Sequence, residues 1–435
     1  MTLNPNPVLR LITAGNVDDG KSTLIGRLLY DSQALLSDQI DQLHHQQSPT
    51  ALPNFAALTD GLSAEREQGI TIDVAYRYFT TSKRKFILAD APGHEQYTRN
   101  MVTAASTADA AIVLIDASRI DTQQQPVRLL PQTLRHTVLL KQLNCAHIVV
   151  AINKLDLLHY DQTAYDAIVS AYTHLAQRLQ IASVHFVPIS ALHGDNIVHP
   201  SQHMPWYTGP SLLALLAELP SQRHQYTSAT HTYGLFPVQR VARQDGSQQN
   251  DFRGYQGRLE QGRLEVGQRI RVLPSQQSST IRAIYGIQGE QSQAEVGDVL
   301  TLTLDDELDI SRGSTLVAFE HPIQTSQHLE ATVCWFDTAA LNPDRKYWLK
   351  HSTQTVYAKV TQLHGRLDLT DLEEKPVQAP LQMNDIARVS LRLQRPIAAH
   401  RYVDHHASGA FILIDDATHQ TVAAGMIEHS EGAPA

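Results

Sequence analysis

The N-terminal half of the chain alternates between short apolar runs and longer amphipathic segments. The apolar runs are rich in Val, Ile, Leu or Ala, and they lie at 8–14, 86–89, 110–115, 147–152 and 185–189. The segments between them, including 123–143 and 163–179, have a helical pattern of apolar residues. Apolar strands that alternate with helices predict a parallel sheet covered on both faces. Such sheets bind ligands at the C-terminal ends of their strands.

Beyond residue 233 the pattern changes to short strands separated by glycines. Gly254, Gly257, Gly262 and Gly267 are separated by alternating apolar and polar positions, which is typical of an all-β barrel. A second change near 322–327 begins another series of short strands. We therefore predict three domains, with a linker at 221–232 between the first domain and the second. They are an α/β domain at 1–220, a β-barrel at 230–320 and a second β-barrel at 326–435.

Composition narrows the class of protein. The 435 residues are 42% hydrophobic and 18% charged, which excludes a disordered chain. No run reaches the roughly 18 apolar residues of a membrane span, and no signal peptide pattern is visible, so we expect a cytoplasmic protein without a membrane partner. Two distant cysteines, Cys145 and Cys334, fit a reducing compartment. The net charge of −9 argues against a general nucleic-acid-binding protein.

The strongest motif follows the first apolar run and matches the phosphate-binding pattern G-x-x-x-x-G-K-[ST] in full. Its residues are Gly15, Asn16, Val17, Asp18, Asp19, Gly20, Lys21 and Ser22, and Thr23 follows in the predicted helix 22–30. The glycines let backbone N–H groups surround phosphate oxygens, and the helix N-terminus adds its positive end. We expect Lys21 to contact the β- and γ-phosphates and the Ser22 hydroxyl to bind Mg²⁺.

A second motif, Asp90-Ala91-Pro92-Gly93-His94, ends the strand at 86–89. We expect Asp90 to hold the Mg²⁺ shell and the Gly93 N–H to approach the γ-phosphate without a side chain in the way. His94 lies where an attacking water must be oriented. Asp-x-x-Gly alone is a weak signal, but downstream of a phosphate-binding loop it becomes a strong one.

The segment 65–72 lies between these two motifs. Thr71 is expected to offer its hydroxyl to Mg²⁺ and its carbonyl to the attacking water. Segments of this kind are ordered by the γ-phosphate and released after hydrolysis. Arg66 is a weak candidate for an arginine finger, and a solvated or interdomain charge is the alternative.

Two further motifs predict which base is bound. They are Asn153-Lys154-Leu155-Asp156 after the strand at 147–152 and Ser190-Ala191-Leu192 after the strand at 185–189. The Asp156 carboxylate can accept two N–H groups from guanine, whereas adenine would leave it unpaired. Lys154 can cover the ring face, Asn153 can brace the loop, and the Ala191 N–H can reach the guanine O6. Four motifs in order, each at a strand end, predict GTP rather than ATP.

These residues resemble the translation-factor class of GTPases, which includes elongation factor Tu. The resemblance rests on Gly69-Ile70-Thr71, on Asp90–His94, on the pattern at 254–267 and on the α/β–β–β plan. It implies an elongation-factor-Tu-like fold with an α/β P-loop GTPase domain followed by two all-β barrel domains. It also implies that Val17 and Ile70 form an apolar gate beside His94, through which a partner can control hydrolysis.

Within that class, the chain is more similar to the large subunits of bacterial sulfate adenylyltransferases. The matching blocks include Asp18-Asp19, AEREQGITIDVAYRY at 64–78, MPWYTGP at 204–210 and DFRGYQG at 251–257. The resemblance implies a regulatory GTPase in a heterodimer or larger assembly. A small catalytic subunit would make adenosine 5′-phosphosulfate and pyrophosphate from ATP and sulfate, and coupling to GTP hydrolysis would drive that uphill reaction.

Two other functions are compatible with parts of this sequence. One is a translation-elongation-factor-like GTPase that delivers RNA, which the acidic composition only mildly disfavours and the blocks at 204–210 and 251–257 disfavour more. The other is a bifunctional chain that carries an adenylylsulfate kinase. That function requires another phosphate-binding loop beyond residue 320, and the sequence to residue 435 has none. We therefore expect the ATP-using centre on another chain.

Overall fold

The computed structural model describes residues 8–35, 54–58, 71, 73–124, 126–221, 232–244, 252–377 and 379–430. Arg66, Ile70 and most of the linker expected at 221–232 lie outside these residues. The chain divides into two compact units. The first comprises Met1–Gln222 and Leu369–Leu372, and the second comprises Arg223–Asp368 and Glu373–Ala435.

The first unit contains a six-stranded sheet in the order β2-β3-β1-β4-β5-β6. The strands are β1 Leu9–Ala14, β2 Ala75–Thr80, β3 Lys85–Asp90, β4 Ala110–Asp116, β5 His147–Asn153 and β6 Val184–Pro188. Only β2 runs antiparallel to its neighbour. All seven residues of β4 are buried, as the fully apolar pattern predicts for a central parallel strand.

Helices cover this sheet. They are α1 Lys21–Asp31, α2 Thr98–Ala105, α3 Pro131–Gln142, α4 Gln162–Arg178 and α5 Leu212–Glu218, with 3₁₀ turns at Phe55–Leu58, Glu95–Tyr97, Ala117–Arg119 and Leu155–Leu158. The helix expected at 123–143 is wrong at its N-terminal end, because α3 begins only at Pro131. Proline is tolerated in a first helical turn, but it disfavours helical backbone in the preceding residue, and Leu130 is extended.

The second unit contains two seven-stranded sheets and a short two-stranded one. The strands of the first sheet and of the short β9–β13 pair are β7 Leu235–Gln244, β8 Phe252–Arg258, β9 Arg263–Glu265, β10 Arg269–Leu273, β11 Ser278–Gly286, β12 Gly289–Gln291, β13 Gln293–Glu295, β14 Val299–Leu304 and β15 Thr315–Ala318. The other large sheet is formed by β16 Thr325–Trp335, β17 Tyr347–His351, β18 Gln354–Asp368, β19 Glu373–Lys375, β20 Ile386–Ala398, β21 Ala410–Asp415 and β22 Thr421–Ser430, with α6 His406–Gly409 before β21.

Each of the two large sheets closes on itself. The first has the order β10-β15-β7-β8-β14-β11-β12 with an additional β10–β11 pairing, so six strands form a ring. The second has the order β17-β21-β22-β16-β20-β18-β19 and closes through β17–β18. Closure pairs the backbone groups that an open edge would expose. The predicted fold class, an α/β P-loop domain followed by two β-barrels, is confirmed.

Within the described ranges, none of the helices has the length and apolar character needed to cross a bilayer. Cys145 and Cys334 are both buried. Burial raises the pKa of the Cys145 thiol to about 12, which makes it unreactive at neutral pH.

Candidate nucleotide-binding site

The loop between β1 and α1 carries the phosphate-binding motif. Gly20 has a φ of 95° and begins α1 without any side-chain capping hydrogen bond. A Cβ on Gly20 would lie 2.4 Å from Asn153 Nδ2, so both the backbone conformation and the close approach require glycine here. The first N–H groups of α1 point into the loop, where a helix N-terminus favours phosphate.

The Lys21 side chain lies within the phosphate-binding loop. It is 7% exposed, and its Nζ donates to the carbonyl oxygens of Gly15 at 3.2 Å and Asn16 at 2.6 Å. Burial lowers the pKa of Lys21, while the carboxylates of Asp19 and Asp90 act in the opposite direction. The Lys21 ammonium group is therefore held by two backbone carbonyl groups beside the N-terminus of α1. Ser22 and Thr23 are half-buried in the first turn of α1.

Asp19 is a buried carboxylate in the same loop. It is 1% exposed, and its Oδ2 accepts from Asn16 N at 2.6 Å. Its Oδ1 is buried and has no hydrogen-bond partner among the described residues. Burial raises the pKa of Asp19 to about 6 despite the neighbouring Lys21. Asp18, by contrast, is exposed.

The second motif reaches the phosphate-binding loop from β3. Asp90 is the last residue of β3, is buried, and accepts from Thr13 Oγ1 at 3.3 Å. A Cβ on Gly93 would lie 2.5 Å from Lys21 Nζ, so the Gly93 backbone runs directly beside the lysine. His94 is exposed, and its Nδ1 accepts from Gln96 N at 3.3 Å.

Thr71 and Val17 are two other residues expected near the phosphate end of the site. Thr71 is half-buried and is the one described residue of the segment 65–72. Val17 is half-buried, and its carbonyl accepts from Arg119 Nη1 at 3.0 Å. Ile70, the other residue of the expected apolar gate, lies outside the described residues. The gate therefore stays a prediction.

Sequence reasoning missed a buried polar connection between these two motifs. His136 Nδ1 accepts from Gly15 N at 3.1 Å, and its Nε2 lies 3.0 Å from Gln132 Nε2. The Gln132 amide also donates to Gly93 O at 3.2 Å. Burial lowers the pKa of His136 to about 3, so the ring is neutral at physiological pH. The signal in the sequence for this connection was the pair of polar residues Gln132 and His136, which lie about one turn apart in α3.

Asn153 joins three loops at the base-binding end. It is 2% exposed, its Nδ2 donates to Asp19 O at 2.8 Å, and its Oδ1 accepts from Ala191 N at 2.9 Å. One side chain therefore braces the phosphate-binding loop and both base-recognition loops. Because the Ala191 N–H donates to Asn153, its expected contact with the guanine O6 stays a prediction.

Lys154 is fixed by a residue that the motifs did not include. Its Nζ lies 2.8 Å from Asp116 Oδ2, and the Asp116 side chain is only 2% exposed. Asp116 also accepts from the backbone and the hydroxyl of Ser118. It is the last residue of β4, so the rule that placed the other motifs at strand ends could have found it.

The remaining base-recognition residues lie on neighbouring loops. The Asp156 side chain is 13% exposed, and its Oδ2 lies 3.9 Å from Nε2 of His193. Ser190 Oγ accepts from His193 N at 3.3 Å, and Leu192 is exposed. A half-buried carboxylate beside a braced loop is suited to accept the N–H groups of a guanine edge.

All these loops follow the C-terminal ends of β1, β3, β4, β5 and β6, at one edge of the sheet. The loops after β1 and β3 offer N–H groups and an ammonium group to phosphates. The loops after β5 and β6 offer a carboxylate and a backbone turn to a base. The arrangement therefore provides separate phosphate and base ends for one nucleotide.

Comparisons with known proteins agree with this geometry. Residues 6–223 match the family model described as the elongation factor Tu GTP binding domain, and residues 328–428 match the GTP-eEF1A C-terminal domain-like model. The GTPase-like domain of Ski7 from S. cerevisiae has a TM-score of 0.52 at 17% sequence identity, covering 97% of each chain. A structural likeness at that identity shows the fold alone.

Two curated relatives match almost the whole chain. Sulfate adenylyltransferase subunit 1 of Laribacter hongkongensis is 45% identical over 430 residues, covering 98% of this chain and 86% of that protein. The bifunctional enzyme CysN/CysC of Mycobacterium tuberculosis is 45% identical over 425 residues, covering 97% of this chain and 67% of that protein. The chain therefore contains a GTP-binding domain and belongs to the sulfate adenylyltransferase subunit 1 family of elongation-factor-Tu-like proteins.

Proposed function

We propose that the chain is the GTP-hydrolysing regulatory subunit of a sulfate adenylyltransferase. Its partner is a smaller catalytic subunit, which forms adenosine 5′-phosphosulfate and pyrophosphate from ATP and sulfate. The observation that carries the proposal is the 45% identity to a subunit 1 across 98% of the chain. The alternative, an elongation-factor-like carrier of RNA, is not favoured, because the near-full-length relatives are named for sulfate activation. We assign the complex to the cytoplasm, without nucleic acid or membrane partners.

Lys21 and the N–H groups at the start of α1 bind the β- and γ-phosphates of GTP. The Ser22 and Thr71 hydroxyls and the Asp90 carboxylate hold Mg²⁺, because hard oxygen donors are the ligands that this ion prefers. The donor set fits: Asp90 is buried beside the loop, and Ser22 lies in the first turn of α1. When bound, Mg²⁺ neutralises charge that develops on the phosphate oxygens.

Hydrolysis takes place at the Gly93 end of the site. The Gly93 N–H contacts the γ-phosphate, and His94 with the Thr71 carbonyl orients a water molecule for attack on the γ-phosphorus. The bond between the γ-phosphorus and the β–γ bridging oxygen then breaks, which leaves GDP and inorganic phosphate. The supporting observation is that the Gly93 backbone runs beside Lys21, the residue that binds the same phosphate.

Guanine is selected at the other end of the site. Asp156 accepts the N1 and N2 hydrogens of the base, Lys154 covers the ring with its alkyl chain, and the turn of Ser190 and Ala191 borders O6. The ion pair of Lys154 with Asp116 and the contacts of Asn153 support this assignment, because they fix the loop that carries Asp156.

GTP hydrolysis drives sulfate activation only if the GTP and GDP states bind the partner's reaction states with different affinities. The sulfate–phosphate anhydride is a high-energy product, so its formation requires such coupling. Segment 65–72 and the Gly93 turn are the elements that a γ-phosphate would reorganise, as in other GTPase switches.

The proposal is tested with the chain purified in complex with its smaller subunit. Sulfate-dependent pyrophosphate release from ATP is measured with GTP, with GDP and without guanine nucleotide. We expect GTP to increase the extent of product formation, and Lys21→Ala to abolish both GTP binding and the stimulation. Absence of stimulation in the intact complex would overturn the sulfate function while leaving GTP binding untouched.

His94 is tested by measuring GTP hydrolysis and GTP affinity of the same complex. His94→Ala should lower GTP hydrolysis by about a hundredfold or more, with GTP affinity nearly unchanged, because it acts on the water. His174→Ala, at an exposed histidine of α4, is the matched control and should change neither quantity. Equal losses of affinity and hydrolysis in His94→Ala would assign a structural role to His94.

A further inference from the structure

The loop that carries Asp156 has a backbone conformation that it would not adopt on its own. Lys154, His159 and Tyr160 all have positive φ values, at 62°, 52° and 58°. Residues with a Cβ are rarely left-handed, and three of them within seven positions require support from surrounding structure. Asp156 lies between them, in the 3₁₀ turn Leu155–Leu158.

That support comes from the segment between β6 and α5. Trp206 Nε1 donates to Tyr160 O at 3.0 Å, and Tyr160 OH donates to Asp195 Oδ2 at 3.0 Å. The ring of His203 stacks on the ring of Tyr160, with centroids 4.9 Å apart and an interplanar angle of 18°. The backbone and the side chain of Tyr160 are therefore both fixed from outside its own loop.

Asp195 is the centre of this arrangement. It is 9% exposed, and its carboxylate accepts from Tyr160, from Ser201 Oγ at 2.6 Å and from His203 Nδ1 at 3.1 Å. Burial and the Asp195 carboxylate raise the pKa of Tyr160 to about 12, so the phenol stays protonated and remains a donor. A buried carboxylate with three donors is a rigid anchor.

The same residue is tied to the second base-recognition loop through its backbone. Ser190 N donates to Asp195 O at 3.3 Å, and Gly194 N donates to Ser190 O at 2.8 Å. The turn that carries Ser190 and Ala191 therefore shares Asp195 with the loop that carries Asp156. One residue sets the spacing of the two loops between which a base would lie.

Tyr160 is also bonded to the turn that carries Asp156. Its N–H donates to Leu155 O at 2.8 Å, and the His159 N–H donates to Asp156 O at 3.2 Å. Displacement of Tyr160 would therefore change the orientation of Asp156 directly.

We propose that Asp195, with Tyr160 and Trp206, is a positioning residue for guanine selectivity, which holds Asp156 and the Ser190 turn at the spacing that the base requires. The three residues act through Asp156 and do not contact the nucleotide. The proposal deepens the proposed function and rests on the base-recognition role of Asp156. It identifies Trp206, within the block at 204–210, as support for nucleotide selection.

The test compares the dissociation constants of GDP and inosine diphosphate. Inosine diphosphate lacks the 2-amino group, from which Asp156 would accept a hydrogen bond. The full chain is used, with variants Tyr160→Phe, Trp206→Phe and Asp195→Asn. Each should reduce the preference for GDP by about three- to tenfold, the effect of one lost hydrogen bond. Tyr207→Phe is the matched control, because its hydroxyl bonds to Phe186 O and Pro210 O, away from Tyr160. It should leave the preference unchanged.

The double variant Tyr160→Phe with Asp195→Asn distinguishes positioning through the Tyr160–Asp195 contact from a general loosening of the two base-recognition loops. Both changes act on the hydrogen bond between Tyr160 and Asp195, which Tyr160→Phe removes and Asp195→Asn weakens, so the double variant should lose little more than the larger single loss. Losses that multiply, or variants that weaken GDP and inosine diphosphate equally, would overturn the positioning role. Trp206→Phe keeps a large ring in the cluster, so it provides the measurement if Asp195→Asn does not fold.

Asp156→Asn distinguishes a failure of the base-recognition role of Asp156 from a failure of the positioning role of Asp195. It should reduce the preference for GDP more than any positioning variant, and the amide should favour xanthine nucleotides. If it leaves the preference unchanged, the base-recognition role fails and this proposal fails with it. If it reduces the preference and the positioning variants do not, only the positioning role fails.

Discussion

At the scale of single residues, the phosphate-binding loop holds a carboxylate away from water. Burial raises the pKa of Asp19 from 3.8 to about 6, with Asp116 adding to the shift and with Asn16, Lys21 and Arg119 opposing it. Between these two pH values the folded chain binds the proton more tightly than the unfolded chain does. The free energy of unfolding therefore falls as the pH rises from about 4 to about 6, and the cost persists above that window.

We predict that Asp19→Asn stabilises the nucleotide-free chain. The amide oxygen can still accept from Asn16 N, and no buried charge remains at position 19. At pH 7.5 the free energy of unfolding should rise by about 2 kcal/mol, and the gain should shrink as the pH falls towards 4. Urea unfolding at several pH values measures this. Asp18→Asn, at the exposed neighbouring position, controls for loss of a charge in the loop, and a pH-independent difference for Asp19→Asn would contradict the prediction.

The sequence predicted the residues that form linear motifs and missed those that act through the fold. Gly15–Ser22, Asp90 and Asp156 follow apolar strands, and the structure brings their loops to one edge of the sheet. Gln132 and His136 have no motif, because their importance depends on which face of α3 is buried against Gly15 and Gly93. That face is set by tertiary packing, which a single sequence does not specify.

At the scale of elements, the contact between α1 and the 3₁₀ turn Phe55–Leu58 depends on a glycine. A Cβ on Gly26 would lie 2.1 Å from Phe55 O and 2.9 Å from Phe55 Cβ. Alanine would improve helix propensity by about 1 kcal/mol, but overpacking costs about 1–3 kcal/mol. The obstacle is a backbone carbonyl that cannot rotate away, so the steric cost should exceed the propensity gain.

We therefore predict that Gly26→Ala lowers the free energy of unfolding by about 1–2 kcal/mol, as measured by urea denaturation. The Tyr30–Phe55 ring contact, with centroids 5.4 Å apart, should be weakened as the turn moves away from the helix. A more stable variant would mean that propensity decides at this site and that the turn does not pack tightly on α1 in solution.

The strands were easier to predict than the helix boundaries. The apolar runs at 110–115 and 147–152 became β4 and β5 with one further residue each, because central parallel strands are apolar throughout. The helix expected at 123–143 was too long, since its first residues are polar and two prolines interrupt them. The barrel closures through β10–β11 and β17–β18 join strands by backbone hydrogen bonds, which leave no local pattern in the sequence.

At the scale of the whole molecule, net charge contributes less than the placement of individual groups. The chain carries −9, yet the groups that would contact the phosphates are the Lys21 ammonium and backbone N–H donors. A favourable local field for a polyanion therefore coexists with an acidic chain, because exposed charges separated by more than a Debye length are screened. The overall charge predicts solubility and weak nucleic-acid binding rather than the ligand.

The division of the chain into two compact units leads to a final prediction. The loops that would contact the nucleotide all belong to the first unit, and the apolar cluster beneath them runs from Leu9 to Leu219 without residues of the second unit. A unit with its own core can fold alone. A fragment of residues 1–222, which lacks only Leu369–Leu372 of the first unit, should therefore bind GDP with a dissociation constant within about threefold of that of the full chain. Titration with a fluorescent GDP analogue measures this, and Lys21→Ala in the fragment is the control. A folded fragment that binds GDP far more weakly would show that residues outside 1–222 stabilise the nucleotide site and would contradict the prediction.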